Sequence, residues 1–342
     1  MPAIQGDDIA DLVASTLKDL GPGKWVDLAS DLQEYIALPK ILNKEKVGFQ
    51  SGYGLQWNVM VDTADAAQNA GLYAVDNVNV GDMMKNATLP WRHSLAAWAY
   101  ERREISMNRS PARIVEILKE RRAGAMIDLA KLIENNFWGK PAGPTDTLTP
   151  HGIDYWIVRN SSEGFNGGIP SGWSDVAGLS PTTYPNWKNY TAQYTTVDKT
   201  DLIRKMRRAF VFTKFKSPTE IPTYNKGNRY GIYSNYAVVG KLEEILESQN
   251  DKLGNDIASK DGMVMFRRTP IQWVPKLETD AQNPIYGINW GWFRPVFLKG
   301  EYMRETGPQQ APHQHNVQQV FLDLTYNFEC KNRRAQWVIA TA

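Results

Sequence analysis

Two closely spaced histidines are the first residues of this sequence that invite a chemical interpretation. His313 and His315 stand two positions apart in the segment APHQHNVQQ, and neutral imidazole is a common metal ligand. The segment contains no carboxylate or thiol to complete a coordination shell, and Gly307, Pro308 and Pro312 precede the pair. We therefore predict a loop with solvated histidines and no metal site.

Nucleophilic catalysis has no better support. His93 and His151 are not paired with a serine or cysteine in any nucleophile–base motif, so we expect both to be hydrogen-bonded structural residues. Cys330 lies in an alternating apolar segment, which predicts buried packing. The glycine-rich GFNGGIPSG lacks the lysine and the following helix of a phosphate loop, and the common nucleotide, hydrolase and zinc motifs are missing. We predict no catalytic residue, cofactor or metal.

Aromatic residues leave one enzyme class open. The chain has 12 Trp and 15 Tyr, a composition that suits either a sugar-binding cleft or a large protein interface. The two carboxylates of a glycosidase come from distant positions, so a carbohydrate-active enzyme stays an alternative. Its cleft would draw on Trp57, Trp156, Trp173, Trp187, Trp290 and Trp292.

The overall charge gives no argument for nucleic-acid or membrane binding, because 39 basic and 37 acidic residues leave a net charge of +2. The densest basic cluster is DKTDLIRKMRRAF, from Asp198 to Phe210. An acidic partner or backbone phosphates would suit it, but a solvated face of an amphipathic helix is the simpler interpretation.

The class of protein is bounded by its hydrophobic fraction of 42% and charged fraction of 22%, which are typical of a folded globular chain. The N-terminus is acidic and has no continuous apolar core, and no run of about 20 apolar residues could cross a membrane. The single cysteine excludes an internal disulfide. We expect a protein made and kept in a cytoplasm-like compartment.

A strand-like hairpin follows from the stretch SGYGLQWNVMVDTADAAQNAGLYAVDNVNV. Apolar residues alternate in both of its arms, which predicts two β-strands: Leu55, Trp57, Val59 and Val61, then Leu72, Ala74, Val78 and Val80. The polar DTADAAQNAG between them is too long for a tight turn. A two-stranded ribbon is marginal alone, so its apolar face requires cover from the chain or from another copy.

Helices are predicted on both sides of this hairpin. Residues 7–20 place Ile9, Leu12 and Leu17 on one helical face, and a weaker pattern spans 28–39. Ser110 as N-cap and Pro111 at the first position open a long helix that runs to about residue 138, roughly 42 Å if straight. The segment LPWRHSLAAWAYERREISMN before it fits a strand or a helix.

The remainder predicts a mixed architecture. Helices are expected at about 199–210 and at 235–247, the latter capped by Ser234; strand candidates are AFVFTKF, RYGIYS, MVMFR, IQWVPKL, QWVIAT and the long alternating stretch from Val320 to Cys330. No internal repeat is visible. The mixture predicts the α+β class rather than a doubly wound sheet.

The order of these parts resembles the major capsid proteins of tailed bacteriophages, which have the HK97-like fold. Stretches such as HGIDYWIVRN, YPNWKNYTAQYT and NPIYGINWGWFRPVFLKGEYMRE are also similar to phage capsid sequences. The resemblance implies the following division: N-terminal arm 1–50, E-loop hairpin and return 51–105, peripheral domain with the spine helix 106–149, axial domain 150–300, and C-terminal strands returning to the peripheral domain 301–342.

The same resemblance implies a structural function that depends on contacts between subunits. The chain would self-assemble into hexamers and pentamers of an icosahedral shell around double-stranded DNA, without sequence-specific binding, in a virion assembled in the host cytoplasm. The short arm implies a separate scaffolding protein, and a portal is expected, with or without a cement protein. The hairpin tip has no lysine, which implies a noncovalent shell. Expected intersubunit residues are Leu55, Trp57, Val59, Val78, Val80, Arg121 and Arg122.

Two further alternatives are also self-assembling proteins. An encapsulin-like shell has the same fold and encloses protein cargo, and another phage component such as a tail or connector protein would form rings or tubes. The long helix between a hairpin and a mixed domain favours the shell.

Overall fold

The computed structural model describes residues 35–41, 47–62, 69, 71–72, 83–107, 111–214, 230–250 and 264–341. For residues 105–106, 111–116 and 246–250 it describes the backbone alone. The predicted helix at 7–20 lies outside these ranges, as do residues 28–34 of the second predicted helix. In the described ranges, no helix is both long enough and apolar enough to span a membrane.

The helices are α1 Leu38–Ile41, α2 Arg102–Met107, α3 Pro111–Trp138, α4 Ile153–Trp156, α5 Leu202–Phe212 and α6 Tyr236–Asn250, with 3₁₀ turns at Pro275–Thr279 and Arg333–Ala335. The strands are β1 Gly48–Gln50, β2 Gly54–Met60, β3 Met84–Pro90, β4 Arg92–Glu101, β5 Gly164–Gly167, β6 Asn189–Tyr194, β7 Tyr230–Ser234, β8 Met265–Phe266, β9 Thr269–Trp273, β10 Ile285–Asn289, β11 Phe293–Leu298, β12 Arg304–Ala311, β13 Gln314–Cys330 and β14 Trp337–Thr341.

The first sheet is organised around β13, whose 17 residues pair antiparallel with β4 on one edge and with β11 and β12 on the other. β1 adds a parallel strand beyond β11. The predicted alternation is present as far as Leu324, but the final residues are buried on both faces. Buried Asn327 and Glu329 are accommodated there because Asn327 donates to the Pro90 carbonyl and Glu329 accepts from Arg294.

The long helix α3 was correctly predicted to begin at Pro111, and its 28 residues make an axis of about 42 Å. Its apolar stripe is buried at Leu118, Leu129 and Ile133, which pack against the first sheet and the core beyond it. Leu132 lies at the edge of that face and is 39% exposed. The helix ends at Trp138, before Gly139.

The second sheet has the order β5-β6-β14-β10-β7-β9-β8 and mixes parallel with antiparallel pairs. Helices α5 and α6 both cover one of its faces, where Ile232, Ile285 and Ile339 form a common core with them. The neighbouring residues Tyr233 and Tyr286 point to the opposite face, towards the core shared with α3. Because successive residues of a strand point to opposite faces of the sheet, the two faces of this sheet belong to two different cores.

The last turn of α3 joins the two sheets. The Phe137 ring is stacked on Trp290, with 5.5 Å between ring centroids, and meets Phe293 and Phe328 edge-on. The next residue, Trp138, contacts Tyr233 of the second sheet edge-on at 5.3 Å. Stacked and edge-on ring pairs stabilise the fold by more than the burial of their apolar area alone. One turn of helix therefore holds residues of both sheets in a single core.

A buried arginine closes the loops beside this core. Arg333 is fully buried, and its guanidinium donates to the carbonyl oxygens of Trp156 (2.9 Å), Trp187 (2.7 Å) and Gly168 (2.9 Å). Burial lowers the pKa of Arg333 to about 10. The planar fork of arginine suits several fixed carbonyls at once, so Arg333 fixes loops that lack regular hydrogen bonding.

The N-terminal segment is held by a buried carboxylate. Glu134 of α3 accepts the backbone N–H groups of Ala37 (3.0 Å) and Leu38 (2.8 Å), and the indole N–H of Trp138 (2.8 Å). Three donors compensate for the desolvation of this charge. Farther along, Lys40 donates to the Tyr233 hydroxyl at 2.6 Å, and burial lowers the pKa of Lys40. Residues 36–41 are therefore fixed against both α3 and the second sheet.

Several segments differ from the sequence predictions. AFVFTKF does not begin a strand, since its first four residues complete α5, where Ala209 and Phe210 continue the buried helical face. The side chain that caps α6 is Asn235 rather than Ser234, because its Oδ1 accepts the N–H of Val238. The ambiguous LPWRHSLAAWAYERREISMN contains β4 followed by α2.

The sheets also divide the chain differently from the five ranges that the resemblance implied. β11, inside 150–300, lies in the first sheet, and β14, inside 301–342, lies in the second between β6 and β10. The last strand therefore does not return to the sheet under the long helix, because its parallel pairing with β6 places it elsewhere.

We expect Gly287→Ala to destabilise the chain strongly. A Cβ at this position would lie 1.9 Å from the buried Trp337 ring, so the indole or the strand must move. Urea denaturation followed by circular dichroism should show a loss of roughly 2–4 kcal/mol. At Gly143 no heavy atom lies within 4 Å of the added Cβ, so Gly143→Ala is the matched control. Equal stability of the two variants would contradict the packing described here.

Candidate subunit-contact surfaces

The hairpin formed by β2 and β3 is rooted in its own chain. Leu55 pairs with Leu89 and Trp57 with Ala87, and all four side chains are buried in the main core. The Trp57 ring lies 5.9 Å from that of Trp156. This burial differs from the expected intersubunit role of Leu55 and Trp57, because the residues that cover both side chains belong to the same chain. Val59 is half-buried against that core.

The strand that pairs with β2 was placed wrongly. The sequence predicted residues 72–80 as the second arm, whereas Gly54–Met60 pairs with Met84–Pro90. Leu72 is 94% exposed, and Val78 and Val80 lie outside the described residues. The alternation of MKNATLP is poor in apolar residues, so period alone could not identify β3.

One edge of this hairpin is open towards its tip. The N–H of Val61 donates to the Met83 carbonyl, so odd-numbered residues of β2 turn their peptide groups towards β3 and even-numbered residues turn theirs away. At Gln56 the outward groups are satisfied by the Gln50 side chain. Among the described residues, the outward groups of Asn58 and Met60 have no backbone partner. An open strand edge is a template for pairing with another chain.

The opposite edge is partly closed. On β3, the N–H of Thr88 donates to the carbonyl oxygen of Ala177 at 2.9 Å, which ties the hairpin root to a loop of its own chain. Met84 is exposed beyond this point, across the hairpin from Met60. The hairpin therefore has a fixed root and a tip half with exposed methionines and unpaired peptide groups.

The two arginines of α3 that the sequence assigned to intersubunit contacts bind within the chain. Arg121 donates to the Ala99 carbonyl at 2.8 Å and to Glu104 at 2.7 Å. Arg122 binds both carboxylate oxygens of Glu305, at 2.8 and 2.9 Å, and both side chains are mostly buried. These contacts fix α3 to β4, α2 and β12.

A groove lies where β1 turns into the hairpin. Its volume is about 640 Å³, and its lining residues are Phe49, Gln50, Ser51, Gly52, Tyr53, Gly54, Gln56 and Lys299. The lining contains no carboxylate, so the groove offers no acid–base pair for glycoside hydrolysis. Four of the six tryptophans that suggested a sugar cleft, Trp57, Trp156, Trp187 and Trp290, are buried in the core instead.

The histidines and the cysteine have structural environments. In the described part of the chain, no group of three His, Cys, Asp or Glu side chains could hold a metal ion. His151 is buried, hydrogen-bonded to Asn327, and burial lowers its pKa to about 4. Cys330 is fully buried, which confirms the prediction of buried packing, and this burial raises the pKa of its thiol to about 12.

Comparison with known proteins assigns the fold. No protein-family model matches the chain, and no curated protein matches it. Among solved structures, the "Cyanophage A-1(L) capsid asymmetric unit" aligns over 93% of this chain and 96% of that chain, with 13% identity and a TM-score of 0.59. The "Capsid of native GTA particle computed with C5 symmetry" aligns over 95% and 96%, with 11% identity and a TM-score of 0.59. The chain has a phage capsid fold. This confirms the α+β, HK97-like class that the resemblance implied.

Sequence reasoning missed two features of this capsid fold. The free edge of β2 was not foreseen, because identifying it requires the register with β3. The exposed pair Val211 and Phe212 was also missed, since the apolar run after the basic cluster was interpreted as a strand. Its signal was present: in a helix, both residues fall on the same side as Arg204, Arg207 and Arg208.

We expect the stability of this capsid-fold chain to fall in acid through His151. Its folded pKa of about 4 lies below the ordinary 6.5, so the unfolded state binds the extra proton first and stability is lost as pH falls from about 6.5 to 4. The loss should be on the order of 3 kcal/mol. His151→Gln should flatten this pH dependence in urea denaturation, whereas substitution of the exposed His313 should not. An unchanged slope in His151→Gln would contradict the assignment.

The Arg122–Glu305 pair should couple strongly within one chain. A double-mutant cycle with Arg122→Gln and Glu305→Gln, measured by denaturation of the unassembled subunit, should give about 1–3 kcal/mol. The control is the exposed Arg103–Glu101 pair, where we expect less than about 1 kcal/mol. Coupling that arises only in an assembled state would restore the intersubunit interpretation.

Proposed function

We propose that this chain is the major capsid protein of a tailed phage. The observation that supports this function is the match over nearly the whole length to capsid chains: the alignment covers 93% of this chain and 96% of the cyanophage A-1(L) capsid chain. A single inserted domain or a shared motif would not produce such coverage. Because one fold recurs in proteins of different function, the surfaces of the chain provide the further support for this role.

The proposed assembly is an icosahedral shell of hexamers and pentamers. It encloses double-stranded DNA without sequence-specific binding and forms in the host cytoplasm, with a separate scaffolding protein, a portal and, in some shells, a cement protein as partners. A net charge of +2 supports packing of subunits over broad attraction to nucleic acid. The role is structural, which agrees with a groove that lacks paired carboxylates and with a fully buried Cys330.

The two sheets define the proposed domains of the capsid subunit. Residues 1–50 are the arm, and 51–105 contain the E-loop hairpin and the return strand β4. The peripheral domain is built from α3 and the first sheet, including β11, and the axial domain is the second sheet with α5 and α6, including β14. Residues 36–41 give the arm a fixed root beside Glu134.

The hairpin is the proposed contact between subunits, through its outer part rather than its root. Leu55 and Trp57 fix its direction because they are buried in their own chain, while the open edge at Asn58 and Met60 is free to pair with a neighbouring copy. Val59, Val78 and Val80 remain proposed contact residues. Arg121 and Arg122 act instead by holding α3 in place.

The test is sedimentation velocity with negative-stain electron microscopy on the full chain, alone and with its candidate scaffolding protein. Wild type should form capsomers or closed shells. A variant in which an Asn-Gly turn joins Val61 to Met83 should keep wild-type stability, because these residues form a hydrogen-bonded pair that a two-residue turn can close. Its shell yield should fall at least tenfold.

The control for this variant is Leu148→Ser, an exposed apolar residue far from the hairpin in sequence, which should assemble normally. A wild-type chain that stays monomeric in every condition would refute the capsid function. Normal shells from the shortened hairpin would refute the role of its outer part.

A further inference from the structure

The outer face of α5 is basic at one end and apolar at the other. Arg204, Arg207 and Arg208 are exposed one turn apart, and the next turn exposes Val211 (57%) and Phe212 (49%). The inner face, by contrast, is buried in the core of the second sheet at Leu202, Met206, Ala209 and Phe210. Two exposed apolar side chains next to a cationic cluster are unusual for a face that contacts only water.

Two of the three arginines of this face lack acidic partners in the described part of the chain. Arg208 forms an ion pair with Glu163 at 3.2 Å, and its guanidinium also lies over the Phe212 ring. Neither Arg204 nor Arg207 forms an ion pair with a described residue, and Asp201, which directly precedes the helix, forms its ion pair with Lys205. The face therefore has positive charge beside apolar area, the complement of an acidic amphipathic segment.

The chain itself contains a segment of that kind outside the described residues. Residues 7–20, DDIADLVASTLKDL, carry four aspartates and one lysine, a net charge of −3. Their pattern predicts a helix with Ile9, Leu12, Val13, Leu17 and Leu20 on one side. A helix this short is marginal in water unless its apolar side is buried.

We propose that residues 7–20 of one copy dock on the α5 face of a neighbouring copy. The apolar side covers Val211 and Phe212, and the aspartates pair with Arg204 and Arg207. That residues 7–20 come from a neighbouring copy rests on the proposed shell function.

The position of the arm root favours a neighbouring copy over the same chain. Residues 36–41 are fixed on the face of the second sheet that carries Tyr233, whereas α5 covers the opposite face. The 14 residues from Gly21 to Glu34 reach at most about 50 Å when fully extended. Docking in the same chain would require this segment to pass around an edge of the second sheet. Docking on a neighbouring copy does not require that path.

The test reverses the charges on each side and then on both. Arg204→Glu with Arg207→Glu should lower the assembly rate, followed by light scattering, at least tenfold, and Asp8→Lys with Asp11→Lys should do the same. The chain with all four substitutions should recover to within about threefold of wild type. Lys241→Glu is the matched control, an exposed cation of α6 on the same side of the sheet, and should assemble normally.

A crosslinking experiment detects the contact between residues 7–20 and α5 even when no shells form. Leu12→Cys chains mixed with Val211→Cys chains should form disulfide-linked dimers on mild oxidation, and the native Cys330 does not compete because it is buried. Chains with both cysteines, oxidised at low concentration, should give mainly monomers without an internal link.

The outcomes separate the two proposals. Wild-type shells without charge-swap recovery, or without crosslinks between copies, would overturn the docking and leave the capsid function intact. Crosslinks between copies without shells would support the docking and refute the capsid function. If the Arg204 and Arg207 reversal leaves assembly and crosslinking unchanged but abolishes retention of duplex DNA, the face binds nucleic acid and the docking proposal is wrong.

Discussion

The structure depends on how the last turn of α3 is buried between two sheets. Phe137 and Trp138 belong to one helical turn, yet they contact aromatic rings from both sheets. Glu134, in the same region, uses its charge to hold the N-terminal segment. A close-packed interior resists even small changes of volume, so the direction of the helix, the angle between the sheets and the root of the arm are set together. A subunit with this junction behaves as one body.

Several charged side chains of the chain form hydrogen bonds and ion pairs that stabilise this single body. Arg333, Arg122 and Arg121 would each suit an acidic partner, but all three are engaged inside the chain, by carbonyls or by glutamates. In the proposed shell, contacts between copies would use features that the fold leaves unsatisfied. Two stand out: the open edge at Asn58 and Met60, and the α5 face with Arg204, Arg207, Val211 and Phe212.

Local periodicity explains which elements the sequence could predict. α3 follows from Pro111 and a stripe that includes Leu118 and Ile133, and β13 from its alternation, because both signals lie within one element. The hairpin register could not be predicted, since β3 is poorly alternating and distant from β2. Burial of Glu134 and Arg333 was equally invisible: a charged residue is buried only where distant donors or carbonyls compensate it, and their meeting is a property of the whole fold.

The position of β14 makes the second sheet depend on a strand that is synthesised long after its neighbours. The last strand ends at Thr341 and lies inside the second sheet between β6 and β10, while β4 and β13 of the first sheet place His93 against Thr325, 232 positions apart. Neither sheet is complete until the residues of β13 and β14 have been synthesised. A chain that lacks β14 lacks a strand from the middle of the second sheet and exposes the strands on either side of the gap, β6 and β10, to aggregation and proteolysis. The single packed body described above therefore forms only after both of these strands have been made.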